Sequence, residues 1–346
     1  MEPRILAKHY LATALRLTGV LGALQRIRTP GWRVLCYHRI VDPELVSYTL
    51  QPGMYVRPRS FAWQMELLMK RFKVISLAEL CECLSKGEEP ARGSVAVTFD
   101  DGWLDNYEHA LPVLRRVGVP ATVFLPTAYI GTDRMFWTDE VGLAVTEAKR
   151  TPNTFAQLKD SLSAEELAKE GGEDLLSAAR SIASISDIDH LVEYLKRAVP
   201  SVRNATLDVL RMLRRSGATT PPARSFMSWS EVEEMSTAGI AFGSHSHEHQ
   251  NLTELDESAL ESDIRRSYQL LDQHGIGGTP PFCFPGGYYN LLCLKALEEA
   301  GVEVAVTTGR ASALTGRPRL LGRTLLHEDI SGTPALFLAR IAGRPF

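Results

Sequence analysis

Residues 94–102 read SVAVTFDDG, an apolar and β-branched run that stops at two adjacent aspartates and a glycine. Such a run predicts a buried strand, and the polar residues mark its carboxyl end. Consecutive residues of a strand point in different directions, so Asp100 and Asp101 are able to divide the work of metal binding and proton transfer. Aspartate and glycine also form ordinary turns at strand ends, so the stretch alone fits both interpretations.

Strands and helices alternate on both sides of this stretch. Apolar runs predict further strands within 32–40, 121–127, 240–245, 282–287 and 302–308, and helical spacing marks 61–72 and 105–117. Repeated alternation predicts a mainly parallel sheet or barrel with its active-site loops at the strand carboxyl ends. The segment 139–223 has helical spacing and no strand pattern. It is predicted to be a helical insertion, which either shapes substrate access or serves as a structural cap.

Composition places the chain among ordinary globular proteins. It has 346 residues, of which 45% are hydrophobic and 23% charged, and this balance excludes disordered, collagenous and coiled-coil classes. The formal charge of -3 leaves no overall basic field for nucleic acid, so no nucleic-acid partner is expected. Five cysteines, an odd and sparse set, argue against a disulfide framework. The oligomeric state is left open.

Residues 1–30 are predicted to form a basic amphipathic helix. The longest uncharged stretch there is 17–25, which is too short to span a bilayer, and no convincing cleavage site for a signal peptide follows it. Such a helix either lies on an anionic membrane surface or packs on its own domain. We therefore expect a cytoplasmic or peripheral membrane protein, with an extracellular or periplasmic location left open.

A second polar cluster follows the predicted strand at 240–245. Residues 243–252 read GSHSHEHQNL and contain three histidines within five positions. Grouped imidazoles are hard to explain as core residues, because they would lose their hydration together, so metal binding is the better interpretation. A zincin site beginning at His247 would need a histidine at 251, where Asn251 stands. Two imidazoles and one carboxylate suit Zn²⁺ or a similar divalent ion and leave coordination positions open for water and substrate.

These motifs, in this order, resemble those of the polysaccharide deacetylase family, also called carbohydrate esterase family four or the NodB homology domain. The resemblance covers most of residues 32–345 apart from the insertion. It implies a distorted (β/α) barrel, with residues 31–138 and 224–346 as the catalytic domain. YHRI at 37–40 resembles the family's entry strand.

The resemblance also assigns roles to the two polar clusters. TFDDG matches the family's first motif, which implies that Asp100 is the general base and Asp101 a metal ligand. HSHEH matches the second, which implies that His245 and His249 are the other ligands of a divalent metal. That metal is expected to be Zn²⁺, with Co²⁺ or Ni²⁺ as alternatives.

A third motif departs from the family pattern. CFPGGYYN (283–290) has Cys283 where many members have an arginine that pairs with the catalytic base. Backbone N–H groups of Gly286 and Gly287 are still predicted oxyanion donors, with Tyr288 beside them as a substrate contact. A glycine-rich turn between strand and helix explains these glycines equally well.

The last motif is RTLLHED (323–329), whose His327 resembles the family's general acid for the leaving amine. Arg323 lies four residues earlier, and our hypothesis is that it pairs with Asp100 and replaces the missing arginine. Trp229 resembles a family aromatic that precedes the histidine motif and is a candidate substrate contact. It also fits a core position beside a capping box of Ser230 and Glu233.

Together the resemblance implies a metal-dependent hydrolase that removes acetyl groups from N-acetylated sugars of a polysaccharide or glycan intermediate. One alternative is an O-acetyl esterase or another metal-dependent amide hydrolase using the same site. The other is a non-catalytic glycan-binding member of the fold, which the missing arginine at Cys283 motivates. The sequence does not select one glycan over another.

Overall fold

The computed structural model describes residues 31–46, 50, 52–150, 185–198, 203–204, 206–208, 210–211, 224–309 and 318–342. The predicted helix of residues 1–30 and the central part of the insertion lie outside the described residues. Two compact units are present: 134–223 with 43–52 form one, and the remainder of the described chain forms the other.

The described residues form ten short strands. They are β1 (Trp32–Tyr37), β2 (Arg39–Ile40), β3 (Tyr55–Val56), β4 (Lys73–Val74), β5 (Ser94–Phe99), β6 (Ala121–Leu125), β7 (Ala241–Ser244), β8 (Phe282–Cys283), β9 (Val304–Thr308) and β10 (Arg319–Leu325). Seven of them close into a parallel barrel in the order β1-β5-β6-β7-β8-β9-β10, because β10 pairs back onto β1. β4 adds to the start of β5, and β2 pairs with β3 separately. The predicted barrel fold is confirmed.

The described residues also form α-helices, most of which follow a strand. They are α1 (Pro58–Arg71), α2 (Leu77–Ser85), α3 (Leu111–Val117), α4 (Trp137–Arg150), α5 (Ile185–Arg197), α6 (Trp229–Thr237), α7 (Glu257–Gln273), α8 (Leu291–Glu299), α9 (Glu328–Ser331) and α10 (Pro334–Ile341). A π-helical turn, Asn106–Ala110, precedes α3. None of the helices in the described part of the chain is both long enough and apolar enough to cross a bilayer.

The pairing of β1 with β5 sets the edge at which the polar loops emerge. The two strands run in register from Trp32↔Ser94 to Tyr37↔Phe99. Every residue of β5 is buried, as expected for a strand covered on both faces. The Asp100 N–H then donates to the Tyr37 carbonyl at 3.0 Å. The two strands therefore release their polar loops side by side at the carboxyl edge of the barrel.

The smaller unit is helical where the structure describes it. α4 and α5 pack through buried aliphatic side chains, among them Val141, Val145, Ile188 and Leu191. Leu50 belongs to the same cluster. The described residues of 43–52 are grouped with this unit.

Candidate metal centre and active site

Four strands deliver polar side chains to one end of the barrel. Asp100 and Asp101 follow β5, His245 follows β7, and His38 follows β1. Cys283 ends β8. Loops at the carboxyl ends of barrel strands are the usual place for catalytic groups.

Asp101, His245 and His249 form a compact group of potential metal ligands. The Oδ1 atom of Asp101 lies 3.4 Å from Nε2 of His245 and 3.2 Å from Nε2 of His249. One ligand atom from each residue falls within 4.8 Å of the others. Nδ1 of His245 lies 2.8 Å from the Cys283 carbonyl, a hydrogen bond that turns Nε2 toward the group. This donor set fits Zn²⁺ or a similar divalent ion.

Backbone strain is concentrated at the same place. Asp101, Ser246 and His249 have φ angles of 75°, 65° and 52°, and no other non-glycine residue in the described ranges has a positive φ. The Ser246 hydroxyl accepts the His249 N–H at 3.0 Å and so stabilises the turn that carries the ligand. Strained residues persist where surrounding contacts hold them, which is typical of functional sites.

Asp263 on α7 fixes the outer part of this loop. Its two carboxylate oxygens accept the N–H groups of His247 and Glu248 at 2.8 and 2.9 Å. The ring of His247 contacts Thr127, with Nδ1 2.9 Å from the threonine Oγ1. The loop is therefore held on both sides while His245 and His249 turn inward.

Asp100 and Arg323 form the buried ion pair that the sequence analysis predicts. Nη1 and Nη2 of Arg323 donate to the two carboxylate oxygens of Asp100, each at 2.6 Å, and both residues are 2% exposed. The thiol of Cys36 lies 3.4 Å from Asp100 Oδ2, and that of Cys283 lies 3.5 Å from Oδ1. Arg323 Nη2 is 3.0 Å from Cys283 Sγ. The small side chain at 283 thus leaves room for a guanidinium arriving from β10.

The ion pair determines the charge of Asp100. Burial alone raises the pKa of this carboxyl, but the charge and hydrogen bonds of Arg323 outweigh burial and hold the pKa well below its ordinary value. Asp100 is therefore an anion at neutral pH, as a proton acceptor must be.

The glycine-rich motif forms a tight turn, Pro285–Gly287. The Gly287 N–H donates to the Phe284 carbonyl at 2.9 Å, so it is already used within the turn. This narrows the predicted oxyanion donors to Gly286, whose φ of 63° suits glycine. Tyr288 is 58% exposed, and its ring covers Gly286, since a Cβ there would lie 2.9 Å from Tyr288 Cδ2.

Trp229 occupies the first turn of α6. Its ring stacks on His274, with centroids 3.9 Å apart and planes 2° from parallel. The capping box of this helix is formed by Ser228 and Glu231, which corrects the predicted pair of Ser230 and Glu233. These contacts are those of a packing residue, and a substrate role for Trp229 stays a prediction.

His327 and His38 leave the barrel beside each other. The pairing of β1 with β10 ends at Cys36↔Leu325, and the Leu326 N–H still donates to the Cys36 carbonyl at 2.9 Å. His327 has an extended backbone, so alternation places its side chain on the same face as Arg323. Nε2 of His38 lies 3.7 Å from Asp100 Oδ2. Sequence reasoning missed His38, although its position directly after an apolar strand was the available signal.

Trp103 is a second residue that sequence reasoning missed. Its indole Nε1 donates to Asp101 Oδ2 at 2.9 Å, while the ring is buried and stacks on Phe226 with centroids 4.8 Å apart. Partners that orient a ligand in this way tune metal affinity. The signal in the sequence was a tryptophan two positions after the second aspartate.

We expect Trp103→Phe to lower the affinity for Zn²⁺ about tenfold, because phenylalanine keeps the stacking on Phe226 but cannot donate to Asp101. Titration against a chromogenic chelator measures the dissociation constant. Trp63→Phe is the matched control, since Trp63 packs on Phe337. An unchanged constant in Trp103→Phe would contradict this outer-shell role.

Comparison with known proteins identifies the family. The sequence profile described as polysaccharide deacetylase matches residues 87–170 and 197–305, which is more than half of the chain. The chain belongs to the polysaccharide deacetylase family. This confirms both the resemblance and the prediction that the chain is a hydrolase of this class.

Two relatives have informative names. A Bacillus subtilis (strain 168) protein provisionally named polysaccharide deacetylase YxkH is 23% identical over 296 residues, covering 84% of this chain and 73% of that protein. The poly-beta-1,6-N-acetyl-D-glucosamine N-deacetylase of Staphylococcus epidermidis (strain RP62A) is 36% identical over 107 residues, covering 28% of this family member and 37% of that protein.

Solved structures share the architecture. The Streptococcus pyogenes deacetylase PplD, in complex with acetate, superposes with a TM-score of 0.56 at 18% identity, covering 90% of this chain and 99% of PplD. IcaB from Ammonifex degensii gives a TM-score of 0.56 at 18% identity, covering 91% of this chain and 99% of IcaB. At this level of identity the likeness shows the fold.

Proposed function

We propose that this family member is a metal-dependent deacetylase that removes acetyl groups from N-acetylated sugars of a polysaccharide or glycan intermediate. The observation that carries the proposal is a buried carboxylate, Asp100, which Arg323 keeps ionised and which lies beside the group of Asp101, His245 and His249. The name of the Staphylococcus epidermidis relative, which acts on poly-beta-1,6-N-acetyl-D-glucosamine, supports an N-acetylated glycan as substrate.

In the proposed mechanism Asp101, His245 and His249 would hold the metal, for which Zn²⁺ is the first choice. A divalent ion held by these residues would supply Lewis-acid chemistry, which would polarise the acetyl carbonyl and activate water. Asp100 then accepts the proton of the attacking water. The Gly286 N–H donates to the oxyanion that develops on the acetyl carbonyl.

Collapse of the tetrahedral species breaks the bond between the acetyl carbon and the sugar nitrogen. We assign His327 as the acid that donates a proton to that nitrogen as it leaves. The products are acetate and a free amine. Water supplies the atoms added in this hydrolysis, so no covalent enzyme intermediate is needed.

Arg323 bears on the alternative of a non-catalytic glycan-binding protein. That alternative is motivated by the cysteine at 283 in place of the motif arginine. The guanidinium of Arg323 nevertheless contacts both oxygens of Asp100, and it comes from β10, which is separated from β8 by β9. In our proposal Arg323 performs the task of the missing residue, which favours catalysis.

The experiment that tests the function measures acetate release from N-acetylglucosamine oligomers together with bound metal. We expect a chelator to abolish release and Zn²⁺ to restore it, because the site needs its metal to activate water. His249→Ala should lose both metal and activity, since it removes one of three ligands.

His190→Ala is the matched control, because this histidine is exposed on α5 and should not affect metal content. Full metal content in His249→Ala would contradict the ligand assignment. Acetate release from O-acetyl esters but from no N-acetyl sugar would instead select the esterase alternative.

A further inference from the structure

A buried polar network holds the residue that we assign as the acid. Gln64 lies on α1 and is fully buried. Its Nε2 donates to the Ser331 carbonyl at 2.9 Å, and its Oε1 accepts the Tyr37 hydroxyl at 2.9 Å. The Ser331 hydroxyl in turn donates to the His327 carbonyl at 2.7 Å. A continuous chain of hydrogen bonds therefore links β1 and α1 to the backbone of His327.

Glu328, which follows His327, binds the first turn of α1. Oε2 of Glu328 accepts the Arg57 N–H at 3.0 Å, and Oε1 accepts the Ser60 hydroxyl at 2.8 Å. A carboxylate is favoured at this position, because the N-terminus of a helix carries partial positive charge. The one-turn helix α9, with His327 as its N-cap, is thus tied to α1 at both of its ends.

The network of Tyr37, Gln64 and Ser331 fixes the geometry of the His327 turn as well as contributing to stability. Gln64 shares its helix face with Phe61, Met65 and Leu68, all of them fully buried. A methionine at 64 would extend that apolar face, but it would remove the Gln64 amide from the Tyr37 hydroxyl and the Ser331 carbonyl, which costs stability. A buried network in which every polar group is hydrogen-bonded fixes one geometry. A small displacement of a catalytic group lowers the reaction rate strongly.

We propose that Gln64 is a positioning residue for His327: through Ser331 it holds the imidazole where it protonates the leaving amine. This inference rests on the proposed function. The proton moves from a ring nitrogen of protonated His327 to the sugar nitrogen as the bond to the acetyl carbon breaks. A leaving group that departs as a stable anion needs no such proton.

The test therefore compares two substrates of different leaving group. For N-acetylglucosamine oligomers we expect Gln64→Met to lower acetate release about tenfold to a hundredfold, because the acid is misplaced. For 4-nitrophenyl acetate, whose phenolate leaves without a proton, the rate should be unchanged. Metal content should also be unchanged. Glu66→Gln, on the same helix but in an exposed pair with Arg116, is the matched control.

A double-variant cycle separates positioning from general destabilisation. In a His327→Ala background, Gln64→Met should cause no further loss of acetate release, because it acts through the absent ring. An equal loss on both substrates, a further loss in that background, or full activity of Gln64→Met would overturn the inference and leave the proposed function intact. Wild-type protein that releases acetate from no N-acetyl sugar would overturn both.

Discussion

Asp100→Asn is expected to lower acetate release by about 10²–10⁴-fold while the protein keeps its metal. An amide of nearly the same shape occupies the position but cannot accept the proton of water. The ligand group of Asp101, His245 and His249 is not altered. Acetate release and bound metal, both measured on the purified variant, check the expectation.

The variant also weakens the contact with Arg323, so folding must be monitored with activity. Circular dichroism melting sets a temperature at which the variant remains folded, and both proteins are assayed below it. Asp256→Asn is the control for loss of a carboxylate elsewhere, because Asp256 caps α7 and asparagine caps equally well. Activity retained in Asp100→Asn would contradict the assignment of the base, and loss of metal would make Asp100 part of the metal site.

The parts of the site that the sequence predicts are those carried by short segments. Asp100 and Asp101 are adjacent, and His245 and His249 lie within five residues of each other after an apolar run. Because parallel strands expose their carboxyl ends on one side, the pattern alone brings these groups to one edge of the barrel.

Other parts depend on closure of the barrel. β10 does not read as a strand, because Arg323 and Gly322 interrupt its apolar pattern. A buried arginine in a strand cannot be predicted without knowing its ion-pair partner. The partner of Arg323 is Asp100, which lies 223 positions away. The family resemblance supplied that pairing as a hypothesis, and the structure confirms the contact.

Polar residues with distant partners are the hardest to assign from sequence. Gln64 lies in a helix whose spacing predicts only that some positions are buried, and its partner Ser331 is 267 residues away. The predicted capping box of α6 was wrong for a local reason, because Ser228 and Ser230 each have a glutamate three residues later. Both fit a capping box, and only the hydrogen bonds of Ser228 select the first.

Arg323→Met is expected to lower the free energy of unfolding by about 3–5 kcal/mol, because it leaves the buried carboxylate of Asp100 without its counter-ion. Chemical denaturation of the metal-free protein measures the change. The double variant Arg323→Met/Asp100→Asn should regain most of the loss, since no unpaired buried charge then remains. A single variant as stable as wild type would show that Asp100 does not depend on this pair.

The Asp100–Arg323 pair also allows a test in which the arginine is moved by substitution from position 323 to position 283, where the family resemblance expects it. Cys283 Sγ lies 3.5 Å from Asp100 Oδ1 and 3.0 Å from Nη2 of Arg323, so position 283 faces the space that the guanidinium occupies. Arg323→Met is also expected to lower acetate release, because Asp100 loses the guanidinium that keeps it ionised and in place. Cys283→Arg/Arg323→Met is therefore expected to recover part of both the stability and the acetate release. Cys83→Arg/Arg323→Met is the control, because Cys83 is only half-buried on α2 and lies outside the site. Recovery would show that a guanidinium on β8 can replace the one on β10 beside Asp100. Equal inactivity of both double variants would contradict the idea that an arginine at 283 and an arginine at 323 perform the same task.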